Sequence, residues 1–237
     1  MENATYGTIT RQSGLMREMQ AIAHNIANSN TTGYRREGVI FAEHVKAIDG
    51  QPSLSMATAA VRNTSTLQGT LTQTGSAFDL AIEGDGFFMV ETPDGERLTR
   101  AGHFTPNGEG DLVTPDGHRV LDAGGAPIFI PPDAGTISIA ADGTLSANGR
   151  PLTQIGLYTP ADPNDLTRQN GTLFNAENGA EPIEGSSMIQ GFLEGSNVNA
   201  VSEIARMIEV QRAYELGQNF LDKEDERIRN VLKTLSN

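Results

Sequence analysis

Asn25 and Asn28 stand one helical turn apart and flank Ile26. Asparagine is a poor helix former, because its short amide competes for backbone hydrogen bonds, so two in one turn call for a reason. Two readings fit. One is a helix end fraying into a turn. The other is a pair of amides that bond the backbone or the Gln side chains of a neighbouring helix and fix its register, as buried Asn does in coiled coils. Gln211 and Gln218 are candidate partners for that second reading. This is recognition chemistry, not bond-making.

Patterns for catalysis or metal binding are missing. His24, His44, His103 and His118 never fall at metal-ligand spacing. Residues 79–86 read DLAIEGDG, which lacks the alternate-position oxygens of a calcium loop, so Asp85-Gly86 reads as a turn. There is no cysteine, which removes disulfides, thiolate ligands and Cys nucleophiles. Neither a nucleophile elbow nor a Gly-rich phosphate loop appears. Glu83, Asp85 and the other carboxylates of the middle region need no role beyond an acidic surface. No catalytic, cofactor or metal residue is therefore expected.

The elements that position the asparagines are two terminal helices. Ile9, Gln12, Met16, Met19, Ala23 and Ile26 alternate three and four apart, as do Met207, Val210, Tyr214, Gly217, Leu221, Glu224, Ile228, Val231 and Leu235. Each is a narrow seam that one helix cannot bury alone. The first helix is expected from about Ala4 to Asn28, with Gly33 supplying a left-handed cap. The last is expected after an N-cap at Ser196 or Asn197, with roughly 37 helical residues reaching about 55 Å. Residues 49–74 read as an irregular arm with room for one hairpin.

From Phe78 onward, short apolar runs are punctuated by Asp85-Gly86, Asp94-Gly95, Asp116-Gly117 and Asp142-Gly143, each a tight-turn signal. Such texture predicts an all-β sandwich or barrel-like domain, with Ile128–Ile130 among its strands. Charge follows the same division. Residues 1–48 hold 5 basic and 4 acidic side chains, residues 49–196 hold 6 and 19, and residues 197–237 hold 6 and 7. Near-neutral helices crowd with little repulsion, while an acidic middle stays soluble. No basic stripe for nucleic acid exists, and no apolar run approaches the roughly 20 residues of a membrane span. The first residues lack the charged-then-apolar pattern of a secretory signal.

Three separated segments carry a resemblance. Residues 12–15 (QSGL) with 22–35 (IAHNIANSNTTGYR), residues 78–88 (FDLAIEGDGFF) with 98–104 (LTRAGHF), and residues 195–199 (GSNVN) with 207–215 (MIEVQRAYE) resemble, in order, the flagellar basal-body rod and hook protein family. Residues 127–132 (PIFIPP) and 139–144 (IAADGT) resemble its proximal-rod branch most, and its distal-rod branch next. His24 departs from the family, which commonly has an amide there.

The resemblance implies a structural subunit of the bacterial flagellar rod, exported through the flagellar type III channel without a cleaved signal and assembled in the periplasm. Its partners would be copies of itself and other rod proteins in a helical tube that carries torque from motor to hook. The expected fold is α+β: N- and C-terminal helices pair into a coiled-coil-like α domain (1–34 and 197–237), an extended arm follows (35–77), and a central all-β domain (78–196) is inserted. Ile9, Met16, Ile26, Met207, Val210, Leu221, Ile228 and Val231 are the expected apolar assembly residues. Asn25, Asn28, Gln211 and Tyr214 would supply polar register, and Gly33 with Tyr34 the turn. The rival readings are a distal-rod or hook subunit, a periplasmic wall-active enzyme and an adhesin-like binding module.

Overall fold

The computed structural model describes residues 2–48, 51–162, 165–183 and 185–235. Helix α1 spans Glu2–Ala27, helix α2 spans Ala200–Leu235, and the strands lie between them. The α+β order is as the sequence predicts. The chain divides into two compact units: Met1–Ala27, Glu37–Asn63 and Asn199–Asn237 form a helical unit, and Asn28–Arg36 with Thr64–Val198 form a β unit. This division differs from one at residues 34 and 77. The turn after α1 belongs with the strands. The one hairpin allowed for residues 49–74 is present, but it is long, Glu37–Ile48 with Gln51–Thr64, so it begins before that segment, and it belongs with the helices.

In the β unit the largest sheet runs, edge to edge, Leu166–Asn170, Leu173–Ala176, Gly95–Thr99, Phe88–Thr92, Arg119–Val120, Leu112–Val113, Thr105–Pro106. Its centre is legible from side-chain alternation. Phe88 and Val90 pack into one core with Leu80, Phe104, Leu112 and Leu145, while Phe87 and Met89 face a second core with Leu98, Tyr158 and Phe174. Period-two alternation with both sets apolar marks a strand covered on both faces. Phe88 meets Phe104 edge-on at 5.2 Å between ring centres. Asp94-Gly95 closes the tight hairpin between Phe88–Thr92 and Gly95–Thr99, with Gly95 at φ +103°. A three-stranded sheet, Ile137–Ile139, Thr144–Ala147 and Arg150–Gln154, adds Ile139, Leu145 and Ala147 to the first core.

One local expectation changes. Ile128–Ile130 makes only isolated bridges, although Ile128 and Ile130 are buried. Pro127, Pro131 and Pro132 supply no N–H on either side, so no ladder can extend. Beyond Gly185 two further strands complete the unit. Ser187–Gln190 pairs with Leu80–Glu83, and Phe192–Glu194 pairs with Leu71–Gln73.

In the helical unit, Leu15 and Ile22 of α1 and Val210 of α2 are buried together, with Met19, Ile26, Met207, Ala213 and Tyr214 partly buried around them. Gln12 meets Tyr214, Glu18 meets Arg206 and Asn25 meets Glu203, so the helices run antiparallel. The α1 seam is thus 12, 15, 19, 22, 26. The predicted seam shares Gln12, Met19 and Ile26 with it, but Ile9, Met16 and Ala23 are exposed. A 3-4 spacing fits two neighbouring strips of one helix equally well, and here the wetter strip was the wrong one. Among the described residues no helix is long and apolar enough to cross a membrane.

Candidate assembly surface

Asn25 is fully buried and uses its whole amide. Its Nδ2 donates to the Glu37 carbonyl at 2.7 Å and to Glu203 Oε2 at 3.0 Å, and its Oδ1 accepts the Glu37 N–H at 2.9 Å. One side chain therefore ties α1 to α2 and to the first residue of the hairpin. This is pairing with backbone and with a neighbouring helix, but the helix partner is Glu203, not Gln211 or Gln218. Gln211 is exposed, and Gln218 donates to the Tyr214 hydroxyl on its own helix. Asn28 is separated from Asn25: it lies past the helix end, in the β unit, where its carbonyl and Oδ1 both accept from Thr31 at 3.1 Å.

Gln12 is the second register contact. Its Nε2 donates to the Tyr214 carbonyl at 2.8 Å, and a Cβ at position 217 would overlap that amide, so Gly217 is what lets Gln12 in. Its Oε1 is buried without a partner. Glu18 binds Arg206 through two guanidinium nitrogens at 2.7 and 2.8 Å, and this hydrogen bonding raises the Arg206 pKa against some desolvation. α2 begins where the Asn199 side chain caps the Ser202 N–H at 3.0 Å, two and three residues after the expected caps Asn197 and Ser196.

In the β unit the turn that follows α1 is built around charge. Gly33 has φ +70° and its N–H donates to the Glu194 carbonyl at 2.7 Å, so it is left-handed but does not cap the helix. A Cβ there would overlap the Ala101 backbone. Tyr34 and Arg35 are buried beside it. The Glu194 carboxylate receives Arg35 at 3.0 Å, Arg100 at 2.6 Å and the Gly69 N–H at 2.8 Å. Arg100 also donates to the carbonyls of Ile82, Gly84 and Gly86. Burial pulls the Arg35 guanidinium down to about 10, and the Glu194 charge opposes that fall. Arg168 covers the Tyr34 ring 4.2 Å from its centre. Asn197 accepts the Arg36 N–H at 2.6 Å and donates to the Leu67 carbonyl at 2.7 Å. This clasp joins the two ends of the inserted chain to each other.

Outward-facing apolar residues concentrate on the helices. Ile9 and Met16 on α1, and Ile204, Ile208, Leu216, Phe220, Ile228, Val231 and Leu232 on α2, are exposed, while Leu221 is half-buried. The β unit has fewer, chiefly Leu67, Phe129 and Leu152. The most enzyme-like group is His103, whose Nδ1 lies 2.6 Å from Asp79 Oδ1, with the Thr74 hydroxyl on Asp79 Oδ2 at 2.6 Å. Among the described residues no group of three or more His, Asp or Glu side chains could hold a metal.

Arg35 and Arg100 lie inside the segments that carry the family resemblance, yet nothing in their spacing showed that both close on Glu194. Gln12 stands on the expected seam without a register role assigned to it, and Glu203, in the first turn of α2, reads as an ordinary acidic residue at a helix start.

Comparison with known proteins agrees with the geometry. Residues 9–35 match the family described as flagella basal body rod protein, residues 81–147 the flagellar hook protein FlgE/F/G D1 domain, and residues 189–234 the flagellar basal body rod FlgEFG protein C-terminal. The chain is 41% identical to the flagellar basal-body rod protein FlgF of Caulobacter vibrioides over 99% of this chain and 98% of that one. It is 40% identical to FlgF of Mesorhizobium japonicum over 91% and 90%. The rod protein FlgG of Agrobacterium fabrum is 36% identical over 92% and 93%.

Proposed function

The chain belongs to the flagellar basal-body rod protein family, whose members are structural and not enzymatic, and from that premise we propose that it is a proximal-rod subunit. In this reading copies of it, with other rod proteins, polymerise into a helical tube in the periplasm that carries torque from motor to hook. The helical unit packs with its neighbours in coiled-coil fashion, and the chain reaches the tube through the flagellar export channel.

The observation that carries the assembly role is the contrast in exposed apolar surface. The helices leave large aliphatic side chains uncovered along α2, whereas the β unit closes over two cores. A monomer would not leave such a strip in water without use for it. The expected contact residues Ile9, Met16, Leu221, Ile228 and Val231 all retain solvent exposure, which leaves them available to neighbours, while Asn25, Ile26, Met207, Val210 and Tyr214 serve the packing that presents them.

The proximal position rests on the FlgF relatives, which are more alike to this chain than the FlgG protein of Agrobacterium fabrum. A distal-rod position is the second reading, favoured by that FlgG likeness at 36%. The experiment is electron cryomicroscopy of basal bodies carrying a tagged copy of this chain. Density for the tag next to the membrane-proximal end of the rod is expected. Density at the hook end would favour the distal reading, and a tag absent from the rod would overturn both.

A further inference from the structure

We propose that Asn170-Gly171, at a hairpin tip of the β unit, is a self-modifying site: Asn170 deamidates there in the folded chain ahead of the other Asn-Gly pairs, and the product loosens Arg168 from the turn it holds. The inference uses the β unit alone and stands whether or not the rod-subunit reading does.

An asparagine followed by glycine carries its own nucleophile. The glycine nitrogen, on losing its proton, attacks the asparagine Cγ. A C–N bond forms, the bond to the side-chain nitrogen breaks, and ammonia leaves. The cyclic imide then adds water at either carbonyl and opens to aspartate or to isoaspartate. Asparagine and water go in, an acid and ammonia come out, and no other reactant is needed. Glycine favours the attack because no Cβ crowds its nitrogen and its backbone turns freely. The sequence has four such pairs, at Asn107, Asn148, Asn170 and Asn178, all in the β unit.

The fold restrains three of them. Asn107 Oδ1 accepts the N–H groups of Glu109 and Asp111, both at 2.9 Å. Asn148 Oδ1 accepts the Thr136 N–H at 3.1 Å, and a Cβ at position 135 would overlap that amide, so it is packed as well as bonded. Asn178 donates to Asp165, and its nucleophile, the Gly179 N–H, donates to the Ala176 carbonyl at 3.0 Å. Each must break a hydrogen bond before Cγ and the glycine nitrogen can meet.

Asn170 is not tied in this way. Its side chain is exposed and makes no hydrogen bond among the described residues. It ends Leu166–Asn170, the edge strand of the large sheet, so no further strand covers it. A Cβ added at Gly171 would meet nothing within 4 Å, so the turn has room to rearrange. Arg168 donates from Nη1 to the Gly171 carbonyl, which sets a positive charge beside the nitrogen that must become anionic.

The same guanidinium makes the product matter. It lies 4.2 Å from the centre of the Tyr34 ring and 4.6 Å from that of Phe174, and it donates to the Arg35 carbonyl. Isoaspartate routes the backbone through Cβ and so lengthens the chain before Gly171. In a loop of only Gly171 and Thr172, that addition displaces the Gly171 carbonyl from Arg168. The new carboxylate also competes for the guanidinium. Both changes weaken the stack on Tyr34.

The test uses the full-length chain, aged in mildly alkaline buffer and followed site by site by peptide mass spectrometry. Asn170 is expected to react about fivefold faster than Asn107, Asn148 or Asn178, the factor that one hydrogen bond of ordinary net strength supplies. In denaturant the four rates are expected to converge. Equal native rates, a faster site among the other three, or a preference for Asn170 that persists in denaturant overturns the assignment. The deamidated fraction is then separated by ion exchange, and backbone amide exchange across residues 34–36 is expected to be about fivefold faster in it than in the unmodified chain. Unchanged exchange there, or the same acceleration in an aged Asn170→Gln chain, overturns the loosening of Arg168.

Discussion

The two units of this molecule solve the same problem, holding distant pieces of chain together, with opposite materials. The β unit buries 16 residues in one apolar cluster and 6 in another, and then adds a buried ion cluster in which one carboxylate serves two guanidiniums. Among the described residues the helical unit buries three apolar side chains together and relies on amides, Asn25 and Gln12, to set register. A charge cluster inside a packed body is costly to disturb, because any lost partner leaves a charge stranded away from water. A thin helical seam with exposed flanks is cheap to open and ready to be extended. The β unit carries its own stability; the helical unit keeps part of its apolar surface for neighbours.

The sharpest way to break this contrast is to remove the charge that the β unit cannot do without. Glu194→Ala leaves Arg35 and Arg100 buried and uncompensated, and the Arg35 Nε already lacks a hydrogen-bond partner. A loss of about 3–5 kcal/mol is expected from the β unit. Denaturant unfolding with hydrogen exchange resolved to each unit measures it. A loss under 1 kcal/mol would mean that water reaches this cluster and that the unit is not closed in the way described.

Gly33→Ala comes next. The residue must adopt φ +70°, and its Cβ would overlap the Ala101 backbone, so both backbone strain and displacement contribute. A cost of about 3 kcal/mol is expected, again in the β unit. Had Gly33 only capped α1, as its place in the sequence suggests, the cost would be nearer 1 kcal/mol and would be felt in the helix. Exchange rates of the α1 amides compared with those of Leu80–Glu83 distinguish the two.

A smaller effect is expected from the helical side. Asn25→Ala removes two hydrogen bonds to the Glu37 backbone and one to Glu203, which costs about 2 kcal/mol. The loss should appear as faster exchange across α1, α2 and the hairpin, with the β unit unmoved. Equal destabilisation of both units would show that they unfold as one and would erase the distinction drawn above.

How much of this was legible beforehand divides along the same line. The helices, the β texture and its Asp-Gly turns follow from local rules of period and turn chemistry, and they appear where those rules put them. Asn25 stood out because asparagine is out of place in a helix, which is a local signal too. The rest depends on contacts between residues far apart in sequence. Nothing near Glu194 announces two arginines 94 and 159 residues earlier. Ile9 and Met16 were assigned to the internal seam because a 3-4 pattern does not say which of two adjacent strips faces inward. Only the partner helix, through Gln12, Leu15 and Ile22, decides it. Asn28 was paired with Asn25 by spacing alone, and the helix ends between them.

The last test has almost no effect on the free chain, and that is its point. Ile228 and Val231 are already half in water, so replacing both with Asp removes little burial and strands no partner. Surface changes of this kind stay within about 0.5 kcal/mol, and the melting of both units should be unchanged. Assembly is another matter. If these side chains become buried between copies, two carboxylates must lose their water without a partner, at a cost of several kcal/mol each after relaxation. That is enough to prevent association at any cellular concentration, since about 1.4 kcal/mol is tenfold in affinity. A stable, well-folded variant that leaves cells without a working rod is therefore expected, read by motility and by electron microscopy of basal bodies. A variant with normal rods would show that the exposed end of α2 is surface and nothing more. The contrast between a self-sufficient β unit and an unfinished helical one would then lose its functional meaning.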